Sequence, residues 1–442
     1  MALPLGFEFS GPFGKYHLNI EQCLVTSQTN SFQALLKPGE VRILLVFLNN
    51  PRKVISRRNF SYREQDQDIF VTGRTLDKYV SDIKTKLRLG RENGLISVRG
   101  KGYKLEATVR PLFAGESIDV TALHQAAMFH FDQHTTRSMT LARDQSAAIG
   151  RSSPKFASAQ VIKAYELINL SHTPYGKLPI KESMAEAREA ADAAIDADPQ
   201  FGPAYGILGL IALIYEYDWN KSEQLLARAV KLDPSDSGTL LTRAHLEISS
   251  GKPELALPSI EEAIAADPGD QIVYATRAWM HLLAGNVEQA ITTGENTALS
   301  VFPQLAAAHH LLALIYDHAD RPLDALRELD EALKLDMTQG SLASKGHILG
   351  QLGRIEEAQS ILLELRAMVA RGDIVYLAGN NEALVHVGMG DYERALSALE
   401  KAYEQRCDWL IHLTVEPRWA PLRAHTRFKQ LVQNVGIPHA SM

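Results

Sequence analysis

Residues 74–105 read RTLDKYVSDIKTKLRLGRENGLISVRGKGYKL, and the two halves of this stretch carry different periods. In the first half Leu76, Tyr79, Val80, Ile83 and Leu87 recur on one side at about 100° per residue, the period of an amphipathic helix. The spacing predicts a helix from about Arg74 to Leu89, with Thr72 or Gly73 near its N-cap. The opposite side holds Arg74, Lys78, Ser81 and Thr85, with Thr75 in the first turn and Asp82 and Arg88 flanking. Such a helix can dock on a core by one face and lie in a DNA major groove by the other. A plain solvated helix is the commoner use of the same pattern. In the second half, Leu95–Val98 and Gly102–Leu105 read as short strands around Gly100-Lys101-Gly102. They predict a hairpin wing that carries Arg99 and Lys101 at a turn where backbone can approach a phosphate. No helix follows to supply an N-terminus, so this Gly-x-Gly is not a nucleotide loop.

Upstream, Phe7, Phe9, Tyr16, Leu18 and Ile20 alternate with polar or small residues, as half-buried strands require. Val41, Leu44, Leu45 and Leu48 then switch to a helical period that stops near Asn49-Asn50-Pro51. Ser56 to Tyr62 reads as a second short helix, and Arg63 to Asp68 as a polar loop. Residues 1–107 carry 17 Lys/Arg against 10 Asp/Glu, a net of +7, whereas the remainder nets −13. A basic head on an acidic body implies that the head alone meets a polyanion.

At this point the residues resemble a known family. Arg74-Thr75-Leu76-Asp77, then Lys86-Leu87, then Val98-Arg99-Gly100-x-Gly102-Tyr103 is similar to the R-T-V-D, K-L and V-R-G-x-G-Y pattern of OmpR/PhoB-type winged-helix regulators. The likeness covers about 100 residues. It implies that the helix enters the major groove with Arg74, Lys78, Ser81 and Thr85, while Arg99 and Lys101 touch the backbone or minor groove. The sequence departs from the family at Asp82, where a basic or amide residue is usual, and at Asn59-Phe60-Ser61-Tyr62, where a Trp is usual. The family's phosphorylated receiver domain is not expected, because the head begins near Met1.

From about residue 180 a repeat governs the chain. Pro199, Pro234, Pro268 and Pro303 are 35, 34 and 35 residues apart, and Met337 follows 34 further on. Ala187 and Ala194, Ala256 and Ala263, and Ala325 and Ala332 form pairs seven apart, each second alanine five before its Pro or equivalent. Small residues let antiparallel helices approach, and proline ends the second helix of each unit. This resembles tetratricopeptide repeats, with six units between roughly 202 and 408 and an irregular pair near 156–199. The tail from Trp419 to Leu431 reads as a cap. Tyr205, Tyr274, Arg277 and His309 are candidates to line a groove for a peptide, protein or small molecule. Residues 108–155 are least legible, with a helix expected over Val120–His130 and a Ser/Arg/Pro-rich linker over 146–154.

No Ser-centred elbow, H-E-x-x-H, P-loop or kinase signature points to an enzyme. Cys23 and Cys407 stand alone, and the histidines at 124, 130 and 134 and at 309, 310 and 318 lack partners of metal-ligand spacing. No cofactor or metal is expected. The most apolar run, Tyr205–Tyr217, is shorter than the roughly 20 residues a membrane span needs, and no signal peptide is visible, so a cytoplasmic protein is expected.

The expected fold is α+β over the N-terminal winged helix-turn-helix (1–107), then a linker or irregular segment (108–155). An all-α solenoid with a C-terminal cap (156–442) completes it. The layout resembles HilA-type virulence-gene activators, which implies binding of promoter DNA as a homodimer or tandem pair and recruitment of RNA polymerase. The alternative is a repeat-based adaptor whose basic head does not read DNA sequence.

Overall fold

The computed structural model describes most of residues 6–112 by their regular elements, isolated positions from 124 to 131, residues 134–153 and residues 155–438. The chain divides into two compact units, formed mainly by residues 1–129 and by residues 130–442.

The first unit is α+β. Strands β1 (Gly6–Gly11), β2 (Gly14–Asn19), β3 (Leu24–Ser27) and β4 (Gln33–Leu35) form an antiparallel meander. Helix α1 (Pro38–Asn49) follows, then β5 (Val54–Ser56), the β6 (Ser61–Glu64) and β7 (Gln67–Phe70) ribbon, and helix α2 (Gly73–Lys86). The hairpin β8 (Leu95–Val98) and β9 (Gly102–Leu105) pairs with β5 in the order β5-β9-β8. Strand β10 (Thr108–Leu112) closes the first sheet beside β1. Ordered structure of the head thus continues past residue 107.

Two expectations meet strands instead. At the ends of the stretch expected as a short helix, Ser56 closes β5 and Ser61 opens β6, and residues 57–60 lie outside the described residues. The loop over Arg63–Asp68 is largely the β6–β7 ribbon, where Arg63 opposes Asp68. Val54 and Ile55 find a ladder on Lys104 and Tyr103 of β9, and an isolated two-stranded ribbon need not carry an alternating apolar pattern. The head's core is built from Tyr16, Leu18 and Val25 of the meander, Ile43, Leu44 and Phe47 of α1, and Tyr79, Val80, Ile83 and Leu87.

The second unit is all helical. Helix α3 (Thr136–Ser152) runs through the stretch expected as a linker. Its Met139, Ala142 and Ile149 are buried, and so is Ser146 of that stretch. Seven helix pairs follow: α4 (Ala157–Ser171) with α5 (Ile180–Ala197), α6 (Gly202–Ile211) with α7 (Trp219–Leu232), and α8 (Ser237–Ser249) with α9 (Pro253–Ala266). Next come α10 (Gln271–Leu283) with α11 (Val287–Glu295), α12 (Ala306–His318) with α13 (Pro322–Leu335), α14 (Gln339–Gln351) with α15 (Ile355–Arg371), and α16 (Gly379–Gly388) with α17 (Tyr392–Glu404). Short 3-10 turns over Asp408–His412 and Pro417–Leu422 lead to α18 (Thr426–Val435). Pairs two to seven are the six units expected from the proline spacing.

The repeat residues behave as their chemistry requires. Ala187, Ala194, Ala256, Ala263, Ala325 and Ala332 are all fully buried at helix crossings. Asp198 and Asp233 end their helices in extended backbone, and each Oδ1 accepts the amide hydrogen two residues on, from Gln200 and Ser235 at 2.9 Å.

The array also closes on itself. The loop after α4 packs on the sixth and seventh pairs, where Gly176 O accepts from Val375 N at 2.7 Å, Ser171 O from Tyr376 Oη at 2.6 Å, and Pro174 O from Gly340 N at 3.1 Å. Trp219 Nε1 donates to Val435 O at 3.0 Å and Tyr217 Oη to Cys407 O at 2.9 Å. One apolar core therefore runs from Val161 and Leu226 to Trp419, Phe428 and Val435, about 200 residues later. The expected cap is part of that core.

Candidate nucleic-acid interface

Helix α2 buries Tyr79, Val80, Ile83 and Leu87 at 2% exposure or less. A helix held by that stripe must turn its other side outward, and Lys78, Ser81 and Thr85 are exposed with Asp82 half-buried beside them. The Thr85 hydroxyl donates to Ser81 O at 2.9 Å, which orients its oxygen lone pairs away from the helix. Arg74 and Thr75 lie in the first turn of α2, and their side chains fall outside the described residues. Arg88, Arg99 and Lys101 also lie outside them, although β8 and β9 bracket the turn that carries the last two.

Side chains missed by sequence reasoning set the pose of this helix. Tyr103 Oη of the wing donates to Asp77 Oδ1 of α2 at 2.6 Å, a charge-assisted bond. The last residue of the R-T-L-D motif is thereby joined to the last residue of V-R-G-x-G-Y. Their joint presence in one sequence was the available signal. Lys86 Nζ pairs with the buried carboxylate of Glu40 at 2.6 Å, tying α2 to α1. Tyr16 Oη donates to Leu87 O at 3.1 Å, satisfying an orphan carbonyl at the end of α2, and burial raises its pKa. Lys84 Nζ sits 6.0 Å from the centre of the Tyr103 ring, and burial lowers its pKa. Two of the helix's lysines are therefore partly engaged in holding it, and Lys78 is the exposed one.

Of the four groove candidates of the body, only Tyr274 and Arg277 lie against one another. Tyr205 is 4% exposed; its hydroxyl donates to Pro199 O at 3.1 Å and the Arg228 guanidinium of the paired helix lies 4.0 Å from its ring centre. His309 is 5% exposed, with Nδ1 2.7 Å from Glu328 Oε2 and Nε2 3.1 Å from Pro303 O. Burial opposes charge on His309, yet the bonds to Glu328 and Pro303 outweigh it and raise its pKa. Tyr274 stacks edge-on to Phe302 at 5.5 Å, and Arg277 lies 5.4 Å from its ring and 3.5 Å from Glu261. Tyr205, Tyr274 and His309 each stand six residues after a helix-ending proline and pack on neighbouring side chains, and Arg277 lies against Tyr274 and Glu261. The chain's own 408–418 segment packs against the first helices of the pairs: Arg418 is buried against Glu416 at 3.0 Å and donates to Ser344 Oγ at 3.1 Å, and His412 Nδ1 lies 2.7 Å from Ser249 Oγ.

Residues 33–105 match the family model for the C-terminal domain of transcriptional regulatory proteins, and residues 241–295 match that for the tetratricopeptide repeat. Over 73 residues, 16% of this chain, the sequence is 37% identical to the transcriptional regulatory protein YxdJ of Bacillus subtilis (strain 168). That match spans 32% of the relative's length. Among solved structures, yeast Tom70 is similar at 15% identity over 73% of this chain and 69% of its own, with a TM-score of 0.42. The pilF protein of Pseudomonas aeruginosa is similar at 16% identity over 53% and 98%, with a TM-score of 0.34. The chain carries an OmpR/PhoB-type winged-helix domain at its N-terminus and tetratricopeptide repeats after it.

Proposed function

We propose that the protein is a sequence-specific, double-stranded-DNA-binding transcription regulator, with the repeats serving assembly or signal sensing. The observation that carries this reading is the pose of α2. Its apolar stripe is buried, Lys78, Ser81 and Thr85 face outward, and the wing strand is bonded to its N-terminal half through Tyr103 and Asp77. Arg74, Thr75, Asp82 and Arg88 extend that face, and Arg99 and Lys101 supply phosphate contacts from the wing. Asp82, one turn from Lys78, suits acceptance from a cytosine amine and disfavours a phosphate at that spot. Within this reading the protein is a cytoplasmic, non-catalytic activator that recruits RNA polymerase and binds as a homodimer. Among the described residues no helix is long and apolar enough to cross a membrane.

The test is binding of the full chain to duplex DNA bearing its own upstream region. Affinity should fall about a thousandfold or more between roughly 50 and 200 mM salt if six to ten phosphates are neutralised. Arg99→Ala should weaken specific and random DNA alike, whereas Arg74→Ala should also relax sequence preference. Salt-independent or absent binding would sink the proposal in favour of an adaptor whose head does not read DNA.

A further inference from the structure

Asp82 is bracketed by lysines. Lys78 stands four residues before it and Lys86 four after, the spacing at which side chains on successive helical turns meet. Of the two orders, an acid followed by a lysine is the better oriented, because it also agrees with the helix dipole. Asp82 with Lys86 is therefore the ion pair that α2 favours by itself. In the folded head that pair is not made. Lys86 Nζ crosses to α1 and lies 2.6 Å from Glu40 Oε2, and Asp82 takes part in no ion pair or hydrogen bond among the described residues. Lys78, in the poorer order, is exposed and makes no ion pair among them either. Lys84, two residues on, does not face Asp82 and sits 6.0 Å from the Tyr103 ring centre.

Burial explains which acid holds Lys86. The Glu40 side chain is 1% exposed, so water cannot compensate its charge and a cation must. Asp82 is half-buried and keeps solvent beside it. A buried pair adds little net stability over an apolar one, so its value lies in the arrangement it enforces. Here the arrangement leaves an uncompensated carboxylate next to Lys78, Ser81 and Thr85, on a side of α2 that is otherwise polar or basic.

We propose that Glu40 is a positioning residue for base selection: by holding Lys86 it keeps Asp82 an unpaired acceptor, and Asp82 then selects a cytosine. The proposal rests on the reading of α2 as the DNA-facing helix, and Glu40 itself touches no DNA. Cytosine is the base whose major-groove edge offers the N4 amine and no acceptor, whereas guanine and thymine present acceptor oxygens that a carboxylate repels. Paired with Lys86, Asp82 would be neutralised and would lose that discrimination.

The test is selection of bound duplexes from a randomised library by the full chain, as wild type, Asp82→Asn, Glu40→Gln and Glu40→Gln/Lys86→Met. Wild type should require cytosine at one position, and Asp82→Asn should move that position to adenine, whose N6 and N7 an amide matches. Glu40→Gln releases Lys86 to Asp82 and should cut the cytosine preference about tenfold, while affinity for random duplex rises about twofold because a negative charge is lost. A variant that was only destabilised would lose both affinities together. Removing Lys86 as well should restore most of the preference, since nothing then neutralises Asp82. An unchanged preference in Glu40→Gln, or no recovery in the double variant, would overturn the role of Glu40. A position indifferent to Asp82→Asn would overturn that of Asp82. If wild type binds no duplex at all, the regulator reading itself fails and this role with it.

Discussion

Asp77 is exposed on the outward side of α2, where an acid opposes DNA binding if read alone. Its bond to Tyr103 gives it another task, fixing the angle between helix and wing. Tyr103→Phe keeps the buried ring and removes the hydroxyl, and should cost about 1 kcal/mol of head stability. Asp77→Ala should cost a similar amount, and the double variant little more than either alone. Amide hydrogen exchange of α2 and β9 in the full chain would measure this; strictly additive losses would show that the two residues act separately. The same logic applies six residues after the repeat prolines. Tyr205 and His309, chemically unlike, return a hydrogen bond of 3.1 Å to Pro199 O and Pro303 O respectively. Residue type at that position reports packing and not ligand choice.

Each repeat turns between its helices through one left-handed residue. Gly251, Gly285, Gly353 and Gly390 have φ of +72°, +80°, +73° and +74°, while Tyr217 and Asp320 adopt φ of 57° and 58° with a side chain. Tyr217 carries that strain in a residue that also bonds Cys407 O across the closed array. Around Gly353 there is open space, so Gly353→Ala should cost only the backbone term, about 1–2 kcal/mol. Gly388 is different, because a Cβ there collides with the His347 carbonyl of the neighbouring α14, and backbone has no flexible end to move aside. Gly388→Ala should therefore destabilise the repeats several-fold more than Gly353→Ala, read by chemical denaturation of both variants. Equal losses would mean that α14 and α16 separate easily.

At the scale of the whole repeat unit, closure takes histidines out of water. His310, facing Arg418 and Glu416, is pushed down to about 3 chiefly by burial, and His245, facing His172 and Asp408, to about 4. Burial also lowers His412, facing His245, and His347, facing Asp317, Arg418 and Glu416. These groups stay neutral in the fold and titrate near 6.5 when unfolded. Below pH 6.5 the unfolded chain binds more protons, so stability is present above that pH and falls as pH drops toward the folded values. Each such group contributes up to about 1.4 kcal/mol per pH unit in this window. His309 works in the opposite sense, since its raised pKa favours the fold at low pH, but it is one against six, because burial also lowers His281 and His386. Thermal melts of the full chain should show the repeat transition dropping between pH 7 and 5. A flat or rising midpoint would contradict the buried, neutral state of these rings.

Local periodicity was enough for much of this protein. Leu76 through Leu87 declared one helix, Val98 to Tyr103 one hairpin, and the spaced prolines and alanines six helix pairs, because each pattern records which face a single element must bury. It also showed the cationic face of α2, since Lys78, Ser81 and Thr85 are outward for the same reason that Tyr79 and Ile83 are inward. Tertiary structure alone decided what happens between elements distant in sequence. Strand β5 finds its ladder partner in β9, beyond the whole of α2. The repeats close and bring Trp279 to Trp409, because burying Trp219, Trp419 and Phe428 in one core outweighs leaving that surface open. No period in the chain encodes a contact made across two hundred residues.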